Sequence, residues 1–87
     1  MPYIKKEDKD KYNKIIDELI EIVTIKNAGE LNFLLTCICL SYLAGKEEKY
    51  QLYNDILGAL EGCKQELYRR KISSYENKKI EENGDVY

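Results

Sequence analysis

Ala28-Gly29-Glu30-Leu31-Asn32-Phe33-Leu34-Leu35-Thr36-Cys37-Ile38-Cys39-Leu40-Ser41-Tyr42-Leu43 is the stretch on which the fold turns. Leu31, Leu35, Ile38 and Tyr42 recur at helical spacing and form one apolar stripe. The opposite side is not polar: Phe33, Cys37 and Leu40 fall roughly 180° away, with Leu43 nearby. Only Asn32, Thr36 and Ser41 interrupt the apolar surround. A helix that is apolar all round is normally buried all round. One neighbouring helix pair cannot cover every side, and Phe33, Cys37 and Leu40 would be a costly patch on a monomer. The stretch therefore predicts an all-α fold that closes as a homo-oligomer, a dimer of helical hairpins forming a bundle. Asn27 is the expected N-cap, with Glu30 three residues on, a relative of the capping box.

Outward toward the N-terminus, a first helix is expected from about Asp8 to Ile25. Tyr12, Ile16, Leu19 and Val23 repeat at four, three and four, beside Ile15, Ile20 and Ile22. Lys14, Asp17, Glu18 and Glu21 take the other side, and Glu7, Asp8 and Asp10 suit the positive end of the helix dipole. Toward the C-terminus, Gly45 is a natural helix terminator. A third helix is expected from about Glu48 to Ile72, with Tyr53, Ile56, Leu60, Cys63 and Leu67 as its seam. Its far side carries Gln51, Asp55, Gly58, Gly62 and Arg69. Each mid-helix glycine costs roughly 1 kcal/mol relative to alanine. Gly58 and Gly62, four apart, leave bare backbone where another helix or a ligand can approach, a weak signal in water.

The three helices make one domain over residues 1–74, with residues 75–87 as a tail folded back over it. Ser73-Ser74 weakens the third helix, and Asn83-Gly84 is a strong two-residue turn signal. The tail is open between a short turn or hairpin and disorder, since strands of about three residues are marginal alone.

Composition narrows the function. At 87 residues and 10.2 kDa the chain makes one small domain. Fourteen basic against sixteen acidic residues give a net charge of -2, which argues against a coat for long nucleic acid. The sequence holds no histidine, so it lacks the commonest general base and metal ligand. No nucleophile motif or phosphate-binding glycine loop is present, and no catalytic residue, cofactor or metal is expected. Cys37, Cys39 and Cys63 are expected as buried, reduced thiols in a cytoplasmic protein, with Cys37 and Cys39 diverging too far to bridge. The start lacks a secretion signal, and no run approaches the ~20 apolar residues of a membrane span.

Two functions of different class remain. Tyr68-Arg69-Arg70-Lys71 is the densest basic run, with Lys64 one turn before. Its plain structural reading is a favourable interaction with the helix C-terminus and with Glu76, Glu81 or Glu82. Its functional reading is a site for a small, nucleotide-like anion at a subunit interface. Arg69 and Arg70 would hold the anion and Tyr68 or Tyr75 would stack on it. The alternative is a protein–protein interaction module or inhibitor that acts through a helical surface. Eight tyrosines beside one phenylalanine suit an interface or a pocket rim.

Three segments carry a resemblance: Met1-Pro2-Tyr3-Ile4 with Glu7-Asp8; Gly29-Glu30-Leu31-Asn32; and Lys78-Lys79-Ile80-Glu81-Glu82-Asn83-Gly84-Asp85-Val86-Tyr87, preceded by Tyr68-Arg69-Arg70 and Tyr75-Glu76. Over nearly its whole length the chain resembles a family of short uncharacterised proteins of bacteria, phages and metagenomes, a domain of unknown function. The resemblance implies no reaction. Members carry proline near the position of Ser74, which this chain lacks, so a helix break there is less firmly implied. Short all-helical phage proteins that oligomerise and sequester cyclic nucleotide signals offer an analogy of size and setting, without a shared motif.

Overall fold

A computed structural model describes residues 2–87. Among them the structure is all-α, with three helical segments and no strand. The first segment is built from α1 (Lys6–Lys9), a 3-10 turn (Asp10–Tyr12) and α2 (Asn13–Glu21). The second is α3 (Ala28–Leu43). The third runs without a break from α4 (Tyr50–Leu67) through a π-helical turn (Tyr68–Ile72) into α5 (Ser73–Asn83). Contacts divide the chain into two units, Tyr3–Ile56 and Leu57–Tyr87, with Pro2 grouped with the second.

In the first unit, α3 has the boundaries its pattern predicts. The Asn27 side chain accepts the Glu30 N–H at 2.9 Å, and the Glu30 carboxylate reaches back to the Lys26 N–H at 3.0 Å. The box is thus closed one residue earlier than in the standard motif, and it still satisfies two free N–H groups. At the other end Gly45 adopts φ +75°, the left-handed conformation that glycine enters at least cost.

The first helix is shorter than expected. It stops at Glu21, where the N–H groups of both Ile22 and Val23 turn to the Glu18 carbonyl. The next residues, Ile22-Val23-Thr24-Ile25, are all β-branched, and they favour extended backbone over a further helical turn. The 3-10 turn at Asp10–Tyr12 tightens the helix above its first turn.

In the second unit the expected break at Ser73-Ser74 does not occur. Without a proline nothing removes the N–H or blocks the preceding turn, and the backbone takes one wider π turn and continues. No hairpin forms at Asn83-Gly84. Gly84 ends α5 instead, at φ +86°, with its N–H on the Ile80 carbonyl at 2.8 Å. Asn-Gly serves both a hairpin turn and a helix terminus because both want positive φ at glycine. Here the Glu- and Lys-rich sequence before it makes helix.

No described residue is fully buried. Leu19, Leu34, Cys39, Leu43, Leu52 and Ile56 reach half-burial in the first unit. In the stripes expected to form a core, Tyr12, Leu35, Tyr42 and Tyr53 are 39–44% exposed, and Ile38 and Leu67 more than half. The expectation of buried thiols is likewise corrected: Cys37 and Cys63 are exposed, Cys39 is half-buried, and all three are free. The cause is common to all of them. Within each unit the well-populated contacts join elements that are consecutive in the chain.

Candidate functional site

Three groups of residues stand out, and each lies within a single unit. The first is the surface of α3. Phe33 is 71% exposed and Leu40 59%, against 46% for Leu31 and 40% for Leu35 on the opposite stripe. Cys37, between Phe33 and Leu40, is also exposed. Glu30 is the only charged residue of this helix, and it is held by its N-terminal box, so Leu31–Leu43 presents no charge.

The second group joins the end of α3 to the start of α4. The Tyr42 hydroxyl donates to Asp55 at 2.9 Å, and the Gln51 amide donates to the other Asp55 oxygen at 2.8 Å. Lys46 donates to the Tyr42 carbonyl and lies 3.5 Å from the centre of the Tyr42 ring. Hydrogen bonds from Gln51 first, and then from Tyr42, hold the Asp55 carboxyl below its ordinary pKa. The same bond to Asp55 raises the Tyr42 phenol, and a hydrogen bond to Glu48 raises Tyr53. Sequence patterning placed Gln51 and Asp55 on the far side of the third helix. Asp55 is instead half-buried and carries the side-chain link to α3. The signal that could have found it was the hydroxyl of Tyr42, which wants an acceptor at the end of an apolar stripe.

The third group is the basic run. Tyr68, Arg69, Arg70 and Lys71 all lie in the π turn, a conformation that recurs at functional sites. Arg69 Nε donates to Glu66 at 2.7 Å, and Arg70 Nε lies 3.8 Å from the same Glu66 oxygen. Glu66 therefore anchors both guanidinium groups while their side chains remain 65% and 60% exposed. The structure thus brings the two arginines to one carboxylate, which sequence reasoning did not single out. A π turn takes about one residue more than an α-helical turn, so Glu76, eight residues after Tyr68, falls two turns on along nearly the same face. Hydrogen bonding to Glu76 accordingly raises the Tyr68 phenol. Tyr75 is 61% exposed, and Lys79 lies 5.5 Å from its ring centre. Gly58 faces open space within its own chain, and Gly62 is half-buried.

Among the described residues no group of three or more acidic, cysteine or histidine side chains is placed to hold a metal ion. No helix there is long and apolar enough to cross a membrane. Comparison with curated proteins and with solved structures returns no match. A family model matches residues 1–86, that is, the whole of both units except the last residue, and by that match the chain belongs to DUF6899, a domain of unknown function.

Proposed function

We propose that this chain is a non-enzymatic protein–protein interaction module that acts through its helical surface and completes its core on a protein partner. The observation that carries this reading is the absence of any fully buried side chain among the described residues, in a chain that is 44% hydrophobic. Folding must offset roughly 1–2 kcal/mol of backbone entropy per residue, and burial of apolar surface is the main term available to do it. A chain that leaves Phe33, Leu40, Ile20 and Ile22 mostly in water has yet to use that term. The three free thiols fit a reduced, cytoplasmic setting. Hydrogen exchange on the dilute chain tests the reading. Amides of α3 should exchange nearly as fast as in a free peptide, and strong protection there at high dilution would overturn it.

A second reading, a site for a small nucleotide-like anion, is favoured by one observation: the π turn carries Tyr68, Arg69 and Arg70 together with their side chains exposed. An anion would have to compete with Glu66 for both guanidinium groups. Glu66→Gln should therefore strengthen binding of ATP or a cyclic dinucleotide several-fold, and Arg69→Ala should weaken it about tenfold. Calorimetry that finds no binding in wild type and Glu66→Gln alike removes this reading.

A further inference from the structure

We infer that the protein partner carries a short acidic segment, which docks on the basic side of the π turn (Tyr68–Ile72). The inference rests on the interaction reading above and adds the chemistry of the partner. Everything that carries it lies within the unit of residues 57–87. From Glu66 to Lys78, four cations, Arg69, Arg70, Lys71 and Lys78, stand against two carboxylates, Glu66 and Glu76. Glu66 is shared between both guanidinium groups, and Glu76 is hydrogen-bonded to Tyr68. One carboxylate neutralises one arginine, so the pair keeps a surplus positive charge. Lys71 and Lys78 pair with no carboxylate among the described residues. Glu61 and Glu82 are already engaged by Lys64 and Lys79. An unpaired ammonium is almost never buried, so these two lysines require water or a carboxylate from outside the unit.

Spacing gathers these groups. Tyr75 follows Lys71 by four residues and precedes Lys78 by three, spacings that put neighbours on one side of a helix. Lys79 lies 5.5 Å from the centre of the same ring. Tyrosine and arginine are the residue types that carry much of the energy at protein interfaces, and the lysines add steering and register. The side of one helix is convex, whereas sites for small molecules are concave, so the surface suits a macromolecule. From Arg69 to Lys78 the helix rises only about 13 Å. Glu81, Glu82 and Asp85 follow directly. A nucleic acid continuing past Lys78 would run its phosphates into that acidic stretch. A short acidic run on a protein fits the charge pattern, and a long polyanion does not.

Fluorescence anisotropy with the full-length chain tests this, the probe being a labelled helical peptide of alanine with glutamate at every fourth position. The peptide should bind at low ionic strength, and its matched glutamine version should not. Lys71→Glu with Lys78→Glu should weaken binding at least about tenfold. Lys5→Glu with Lys6→Glu, the same charge change in the other unit, should leave it within about twofold. The neutral pair Lys71→Gln with Lys78→Gln should keep the Tm of the wild type, because neither lysine has a partner in the free chain. Equal losses in the two reversed pairs would mean that only net charge is read, and overturn the assignment. So would an affinity indifferent to Lys71 and Lys78, no binding of the glutamate peptide, or tighter binding of single-stranded oligothymidylate, which makes nucleic acid the occupant. A marked fall in Tm in Lys71→Gln with Lys78→Gln would mean that carboxylates of this chain already fill the site, and overturns it too. Each of these failures leaves the interaction reading standing with a partner that docks elsewhere. Strong protection of α3 amides at high dilution overturns that reading itself.

Discussion

α3 and α5 are both regular helices, and they are held for opposite reasons. α5 is built from Ser, Glu, Asn and Lys with Ile80 as its one aliphatic residue, and its interactions are local. Lys79 pairs with Glu82 at 3.2 Å and lies over Tyr75, and Gly84 closes the last turn. Each such surface pair contributes a few tenths of a kcal/mol, and the helix asks little of the rest of the molecule. α3 has a good N-terminal box and almost no other local pairing, and most of its side chains are apolar. Its ends are marked by capping, but its stability is set by what covers it. The comparison teaches that a helix can be locally well specified and still be energetically unfinished.

The largest expected effect breaks this contrast directly. If α3 is covered by a partner, as proposed, a charge placed in it by Phe33→Asp must be desolvated there, at roughly 3 kcal/mol or more. Cooperative thermal unfolding followed by circular dichroism should then be lost or fall sharply. The same change in α5, Ile80→Asp, should cost under about 1 kcal/mol, because α5 relies on local pairs. Equal losses at the two sites would erase the distinction.

Next in size is Gly84→Ala. At φ +86° an added Cβ is strained even though the space around it is open, and the loss should be about 1–2 kcal/mol. The reading is helical content lost from the end of α5. Gly58→Ala has the opposite sign. Gly58 is mid-helix with open space beside it, so alanine should stabilise by about 1 kcal/mol and raise Tm by several degrees. A fall in Tm instead would show that another surface packs against the Gly58 face.

The smallest effect concerns the Tyr42–Asp55 link. Asp55 has a lowered pKa in the folded chain, so its contribution is present above its ordinary value of 3.8 and is lost as pH falls through the lowered value. Tyr42 and Tyr53 have raised values, so theirs is present below 10.0 and is lost as pH rises through the raised values. Tm should be flat between about pH 5 and 9 and decline on both sides. Tyr42→Phe should lower the plateau by a few degrees and leave Tm less sensitive to acid. An acid limb unchanged in Tyr42→Phe and Gln51→Ala would show that another carboxylate controls it.

Local chemistry made much of this molecule legible before any coordinates. The apolar period and the Asn27–Glu30 pair define α3 to the residue, because capping and periodicity are properties of adjacent residues. The all-α character and three helical segments follow from the same logic. The end of the first helix at Glu21 was also within reach, since four successive β-branched residues stand after it, but the apolar stripe read through them concealed the stop. Other features depended on how turns and side chains meet in space. The π turn at Tyr68–Ile72 adds a residue to the helical phase and brings Glu76 to Tyr68, and no single-residue preference announces it. Glu66 gathers Arg69 and Arg70, and Asp55 finds Tyr42 across a loop, because three-dimensional proximity selects among many carboxylates that the sequence makes equally eligible. Burial belongs to this second kind. Apolar residues at helical spacing state that a surface wants cover, but only the packing within the unit of residues 3–56 decides that Leu34 and Leu43 are half-buried while Phe33 and Leu40 are not.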